Sequence, residues 1–158
     1  MANKGPSDRF TVASNRRARA NYDILDTYEC GMVLKGSEVK SLREGTVQMA
    51  DAYGRVRSNE MWLMGLRISP WAHSSAHTGH SVGRPRKLLL HRNEIDRLRV
   101  RTEQEPLQLV PLSIYFKDGR AKLELALAKG RRLYDKRQAI RKRDADLEAR
   151  RAMARRNR

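Results

Sequence analysis

A single cysteine, Cys30, leaves this 158-residue chain without any internal disulfide. Nothing in it requires an oxidising compartment, so a reduced, cytoplasmic setting is expected. Aromatic residues are also sparse, with two Phe, two Trp and five Tyr, which argues against a surface that stacks many successive bases. No apolar run approaches the roughly 20 residues that span a bilayer, and Met1 to Asp8 lacks the apolar core of a signal peptide. Phosphate-binding glycine loops are missing too: neither G-x-G-x-x-G nor G-x-x-x-x-G-K-[ST] occurs. The last shortage is of acid. Eighteen Asp and Glu stand against 34 Lys and Arg, a formal charge of +16, so the chain repels itself and attracts polyanions, of which nucleic acid is the first candidate.

What is present reads as one small domain with tails. Residues 1–14 mix Gly, Pro, Ser, Asn and Lys and are expected to form a flexible arm. From Tyr22 to Leu34, β-branched and aromatic residues interrupted by Gly31 predict a bent strand. Ser37, Glu38, Val39 and Leu42 predict a short helix that Gly45 ends. Two further strands, Ala52–Arg57 and Met61–Ile68, flank a Ser58-Asn59 turn. Residues 69–83 have no periodicity and read as a loop, and Leu88, Ile95 and Leu98 predict a helix from Pro85 onward. The clearest hairpin runs from Val110 to Leu127 around Asp118-Gly119. Five or six short strands with two interposed helices predict a mainly β fold, a small partly open barrel spanning residues 15–130.

Residues 129–158 carry 13 basic and 4 acidic side chains, so they supply +9 of the +16. Leu133, Ile140 and Leu147 recur every seven residues there, a row too narrow to bury against a core. The basic tail, residues 131–158, is therefore expected to be disordered alone and helical once phosphates neutralise it.

His73, His77 and His80 have metal-like spacing, but Ser, Thr and Gly surround them and no helix sets their geometry. A solvated loop is the simpler reading; a metal-dependent hydrolase is the enzyme-class rival, and neither metal nor catalysis is expected. Cys30 reads as packing. Glu29, between Tyr28 and Cys30, is different: a carboxylate on a basic surface accepts hydrogen bonds from base edges or holds an arginine. The clusters Arg16-Arg17-x-Arg19, Arg84-x-Arg86-Lys87 and Lys129-x-Arg131-Arg132 adjoin structured elements, which favours a shaped phosphate-binding surface over general solubility.

Several motifs, in order, resemble one family: Asn15-Arg-Arg-Ala18, Tyr28-Glu-Cys-Gly31, Gly36-Ser-Glu-Val-Lys-Ser-Leu-Arg43, Arg86-Lys-Leu-Leu-Leu90, the segment Val110 to Lys129 and Asp135-Lys-Arg137. Together they are similar to the SsrA-binding proteins, the partners of transfer-messenger RNA in ribosome rescue. The resemblance implies an oligonucleotide-binding-type barrel, flanked by two or three helices, that grips the tRNA-like domain of that RNA. It implies that Asn15, Tyr22, Glu29, Leu89 and Lys129 belong to the RNA-binding surface, with Arg16, Arg17, Arg19, Arg84, Arg86, Lys87, Arg131 and Arg132 from the basic clusters. It further implies that Asp135, Lys136, Arg137 and Met153 engage the decoding region and messenger channel of the small ribosomal subunit. Elongation factor Tu and alanyl-tRNA synthetase would be met through the RNA; no membrane is involved, no cofactor is needed and a monomer is expected. The chain departs from the family's usual pattern at Ala20-Asn21, Ser81-Val82 and Ala152. The main rival is a structural ribosomal protein or general RNA chaperone, which shares the charge but not selective binding.

Overall fold

The structure, a computed structural model, describes residues 9–73, 79–131 and 133–156. Its strands form one large sheet and one small one. In chain order the elements are β1 (Arg9–Ser14), α1 (Arg16–Asn21), β2 (Tyr22–Met32), α2 (Gly36–Arg43), β3 (Val47–Gln48), β4 (Tyr53–Arg57), β5 (Glu60–Met64), β6 (Arg67–Ile68), β7 (Arg86–Leu89), α3 (Arg92–Gln104), β8 (Leu107–Lys117), β9 (Arg120–Gly130) and α4 (Leu133–Arg156). The large sheet runs β1-β8-β4-β5-β7-β2-β9, β9 also pairs with β8, and β3 pairs with β6 apart from it. The mainly β, partly open barrel expected from the sequence is what this order produces. Its closing seam is thin, because β4 meets β8 through Gly54↔Leu109 alone. Gly54 permits that approach: a Cβ there would lie 2.8 Å from the Leu109 Cβ.

Two turns set the register. Ser58 and Asn59 take φ of 51° and 59°, and Asp118 and Gly119 take 52° and 77°; paired left-handed residues twist a two-residue turn to match the strands it joins. The second turn aligns β8 and β9 along 11 residues each. Inside, Leu63, Leu66, Ile68, Leu98, Ile114, Leu123, Leu125 and Leu127 are fully buried, and such burial is worth about 1.5–3 kcal/mol per large side chain.

Several elements differ from the sequence reading: α1 has no counterpart there, and the strand expected over Met61–Ile68 is two, β5 in the large sheet and β6 in the small one. The expected flexible arm of residues 1–14 contains β1, antiparallel to β8, with Val12 and Ala13 packed on the core; residues 1–8 lie outside the described residues. The helix expected from Pro85 begins only at Arg92. Arg86–Leu89 is instead a strand between β5 and β2, with Arg86 and Leu88 inward and Leu89 outward. The tail, expected to be helical when bound, is the 24-residue helix α4. Every side chain from Ile140 to Arg156 is exposed, so along that stretch local propensity and not packing supports it.

A buried ion cluster ties the loop before β7 to α2. Glu38 and Arg86 have no exposed side-chain surface. The Glu38 carboxylate accepts from Arg86 Nε at 2.5 Å, from Arg84 Nε at 3.0 Å and Nη2, and from the Lys35 backbone N–H at 2.9 Å. Arg86 spends its remaining donors on the carbonyls of Leu66, Ser81 and Val82. Burial alone would raise the Glu38 pKa, but these donors outweigh it and hold it below its ordinary value.

Glu38→Gln should destabilise the fold by about 3–5 kcal/mol, because two guanidinium groups lose their counter-charge. A depressed folded-state pKa contributes stability above the unfolded value of about 4.3, lost as pH falls through the folded value. Urea melts at pH 7 and pH 3 should therefore converge for the variant and wild type. A gap of equal size at both pH values would show that Glu38 is not the group responsible.

Candidate nucleic-acid interface

The outward face of the sheet is built by register. Directly opposed residues share a face, and one row crosses five strands: Thr11 opposite Tyr115, Tyr115 opposite Lys122, Lys122 opposite Gly31 and Gly31 opposite Leu89. Glu29 stands beside this row, opposite Glu124. Its carboxylate accepts the Tyr115 hydroxyl at 2.5 Å and faces Lys117 Nζ at 3.5 Å. The Arg9 guanidinium lies over the Tyr115 ring, 3.8 Å from its centre. The Tyr115 hydrogen bond is the main reason the Glu29 pKa is lowered, with Lys117 and Lys122 adding to it. Burial, then Glu29 itself, pushes the Tyr115 hydroxyl well above its ordinary value. Glu29 is therefore an ionised acceptor held in place, and Leu89 beside it is 52% exposed.

A second group lies at the other end of β9. Asn15 starts α1 by accepting from the Ala18 N–H at 3.3 Å, and its amide donates to the Pro111 carbonyl at 3.1 Å. Ala18 packs on Val110, Leu112, Ala126 and Ala128, which turns Arg16, Arg17 and Arg19 outward. The helix ends beside β9, where Tyr22 opposes Gly130 and Asp23 opposes Lys129. Arg131 donates to Asp23 at 2.8 Å, and its N–H to the Asn21 carbonyl at 2.9 Å. Among the described residues Arg16, Arg17, Arg19 and Lys129 form no ion pair, so their charge is available to a partner.

Not every predicted site residue is on these surfaces. Arg86 is a correction: it is fully buried against Glu38 and reaches no partner in this fold. Arg84 is mostly committed to the same carboxylate, and Lys87 pairs with Glu60 at 3.2 Å. Asn15 is 8% exposed and uses both ends of its amide internally, so it shapes the site rather than touching a ligand. Arg137 and Met153 are exposed on α4. Arg132 lies outside the described residues, as do the side chains of Asp135 and Lys136. Sequence reasoning missed Arg9, Lys117 and Lys122 around Glu29 and the buried Tyr115 that holds it; the alternation of β9, extended across the Asp118-Gly119 turn, was the signal that would have found Lys122.

The SmpB protein family model matches residues 12–155. The chain belongs to this family. An SsrA-binding protein of Desulforudis audaxviator is 53% identical over 142 residues, 90% of this chain and 92% of the relative. That of Nocardia farcinica is 52% identical over 156 residues, 99% of this chain and 95% of the relative. A solved structure described as "tmRNA-SmpB: a journey to the center of the bacterial ribosome" is similar with TM-score 0.65 and 44% identity, covering 87% of this chain and 96% of that one. Family likeness thus spans the barrel and α4 together.

The groups considered for chemistry have structural neighbours. His80 places one ring nitrogen 2.8 Å from Ser37 Oγ and the other 3.0 Å from the Ile68 carbonyl; His73 lies edge-on to Trp71 at 5.1 Å, and His77 lies outside the described residues. Cys30 is fully buried, and burial pushes its thiol up to about 12. Iodoacetamide at pH 8 should leave native Cys30 unmodified over hours and alkylate it within minutes in denaturant. Rapid labelling of the native protein, read by mass spectrometry, would contradict that burial.

Proposed function

We infer that this chain binds the tRNA-like domain of transfer-messenger RNA and delivers it to stalled ribosomes for trans-translation. What carries the reading is that the family match covers residues 12–155, so the RNA-gripping body and the cationic tail are both within it. Capture is electrostatic at first: each phosphate neutralised by a fixed Lys or Arg releases condensed counterions. Selectivity then comes from shape, because Glu29, held by the buried Tyr115, and Lys122 and Leu89 sit on a rigid sheet where a helix of the wrong geometry cannot meet all of them. Glu29 accepts from base edges or sugar hydroxyls, Leu89 supplies apolar contact, and Arg16, Arg17, Arg19, Tyr22 and Lys129 hold the backbone. Helix α4 extends the body into the vacant messenger channel, with Asp135, Lys136, Arg137 and Met153 engaging the decoding region. Elongation factor Tu and alanyl-tRNA synthetase meet the complex through the RNA. The protein acts in the cytoplasm by binding and not by catalysis.

Two outcomes test this division of labour. Deleting residues from Asp135 onward should leave affinity for the tRNA-like domain within about twofold, because the described side chains of α4 are all exposed, yet abolish tagging of stalled products in a reconstituted translation reaction. Tagging that survives the deletion contradicts the role given to α4. Separately, Lys122→Ala and Lys129→Ala should each weaken RNA binding and reduce the slope of log K against log salt by about 1. An unchanged slope removes that lysine from the interface.

A further inference from the structure

The thin seam between β4 and β8 opens into a groove of 950 Å³. With pairing confined to Gly54↔Leu109, the two strands diverge, and α1 and α3 wall the space between them. Three guanidinium groups from three different elements line it: Arg17 on α1, Arg55 on β4 and Arg99 on α3. Arg17 and Arg55 make no hydrogen bond or ion pair with the described residues, and both are exposed. Arg99 comes no closer than 4.0 Å to Asp96, and its Nε is buried without a partner among the described residues. Asp51 and Glu103 also line the groove, so it is not uniformly cationic. Tyr53 lines it as well, with 46% of its surface exposed although it is a large aromatic residue. The alternation of β4 explains the pairing of these groups: Gly54 and Val56 turn inward, leaving Tyr53 and Arg55 side by side on the outer face.

Guanidinium forks match phosphate oxygens, and a free aromatic face stacks on any base. The groove's volume is that of a pocket for a small-molecule-sized group, too small for a duplex. An acidic peptide would use the arginines but have no need of the tyrosine ring. We propose that the groove binds a short run of unpaired nucleotides, with phosphates on Arg17, Arg55 and Arg99 and a base stacked on Tyr53. It is an RNA site beyond the one described above. At its α1 end the groove shares Asn15, Arg17 and Tyr22 with the interface described above, whereas Tyr53, Arg55 and Arg99 belong to the groove alone, and it has no residue in common with the Glu29 face. A body with both surfaces holds a folded RNA on one and a single-stranded segment on the other.

Fluorescein-labelled hexauridylate, titrated into the full-length protein and followed by anisotropy, tests this. Tyr53→Ala and Arg55→Ala should each weaken binding at least about fivefold, the lower end of what one stacked base contributes, while Tyr53→Phe retains it. Because Tyr53 and Arg55 are exposed and distant from the core, a thermal melt should show both variants folded. Affinity of the same variants for the tRNA-like domain should stay within about twofold, so failure of the groove is separable from failure of the interface that includes Lys122. Hexauridylate bound equally by wild type and both alanine variants would overturn the proposal. So would displacement by hexaglutamate as effective as by unlabelled hexauridylate, which would make the groove an acidic-peptide site.

Discussion

The buried Glu38 carboxylate is the interaction on which the arrangement depends. It is taken out of water, and only the donors of Arg84, Arg86 and the Lys35 N–H make its charged form tolerable there. The two guanidinium donors come from the loop before β7 and the strand itself, so forming the cluster fixes where β7 enters the sheet. Arg86 then reaches the carbonyls of Leu66, Ser81 and Val82, which pins both ends of the loop that returns from β6. Leu89 projects from β7 onto the outer face because Arg86 and Leu88 are held inward. A functional surface three residues away is thus positioned by an ion pair that never meets the partner.

Charge divides into two kinds for the same reason. Cations with a protein carboxylate in reach, Arg84, Arg86, Lys87 and Arg131, are largely spent on the fold. Of the cations without one among the described residues, Arg16, Arg17, Arg19 and Lys129 are collected where α1 meets the end of β9, while Arg9, Arg55 and Lys122 lie elsewhere on the sheet. With 16 net positive charges, total charge attracts a polyanion, and the unpaired cations around α1 and the end of β9 are where we propose that it docks. Glu29 fits this scheme as the exception that adds discrimination, since an ionised acceptor among cations rejects a phosphate and favours a donor.

Much of this was legible in the sequence where a local signal is strong. Asp118-Gly119 and Ser58-Asn59 announced their hairpins because residues at positive φ are rare and these types supply them cheaply. Glu38 in the first turn and Gly45 at the end announced α2, but its N-cap is Lys35, and Ser37, expected to cap it, lies inside the helix against His80. The misreadings came from coincidence and from shortness. Leu88 lies seven residues before Ile95, so one leucine satisfied both a helical period and the period-2 pattern of β7, and only pairing with β5 and β2 decided between them. Helix α1 buries a single residue, Ala18, and leaves no period to detect. The site was readable as basic clusters but not as partners: nothing in Arg84-x-Arg86-Lys87 reveals that Glu38, nearly fifty residues earlier, has already claimed the middle arginine. Motif resemblance named the family, whereas the cross-strand row through Tyr115 and Lys122 needed the register.

The central claim is that fixed, unpaired cations on a rigid sheet select a folded RNA by shape and not by charge alone. Competition binding measures it most directly: labelled tRNA-like domain of transfer-messenger RNA challenged with unlabelled unstructured RNA of equal length, from low salt to physiological salt. The account predicts that both affinities fall as salt rises while preference for the folded domain persists or widens, since counterion release weakens both and shape complementarity only one. Equal competition by the unstructured RNA at every salt concentration would contradict it.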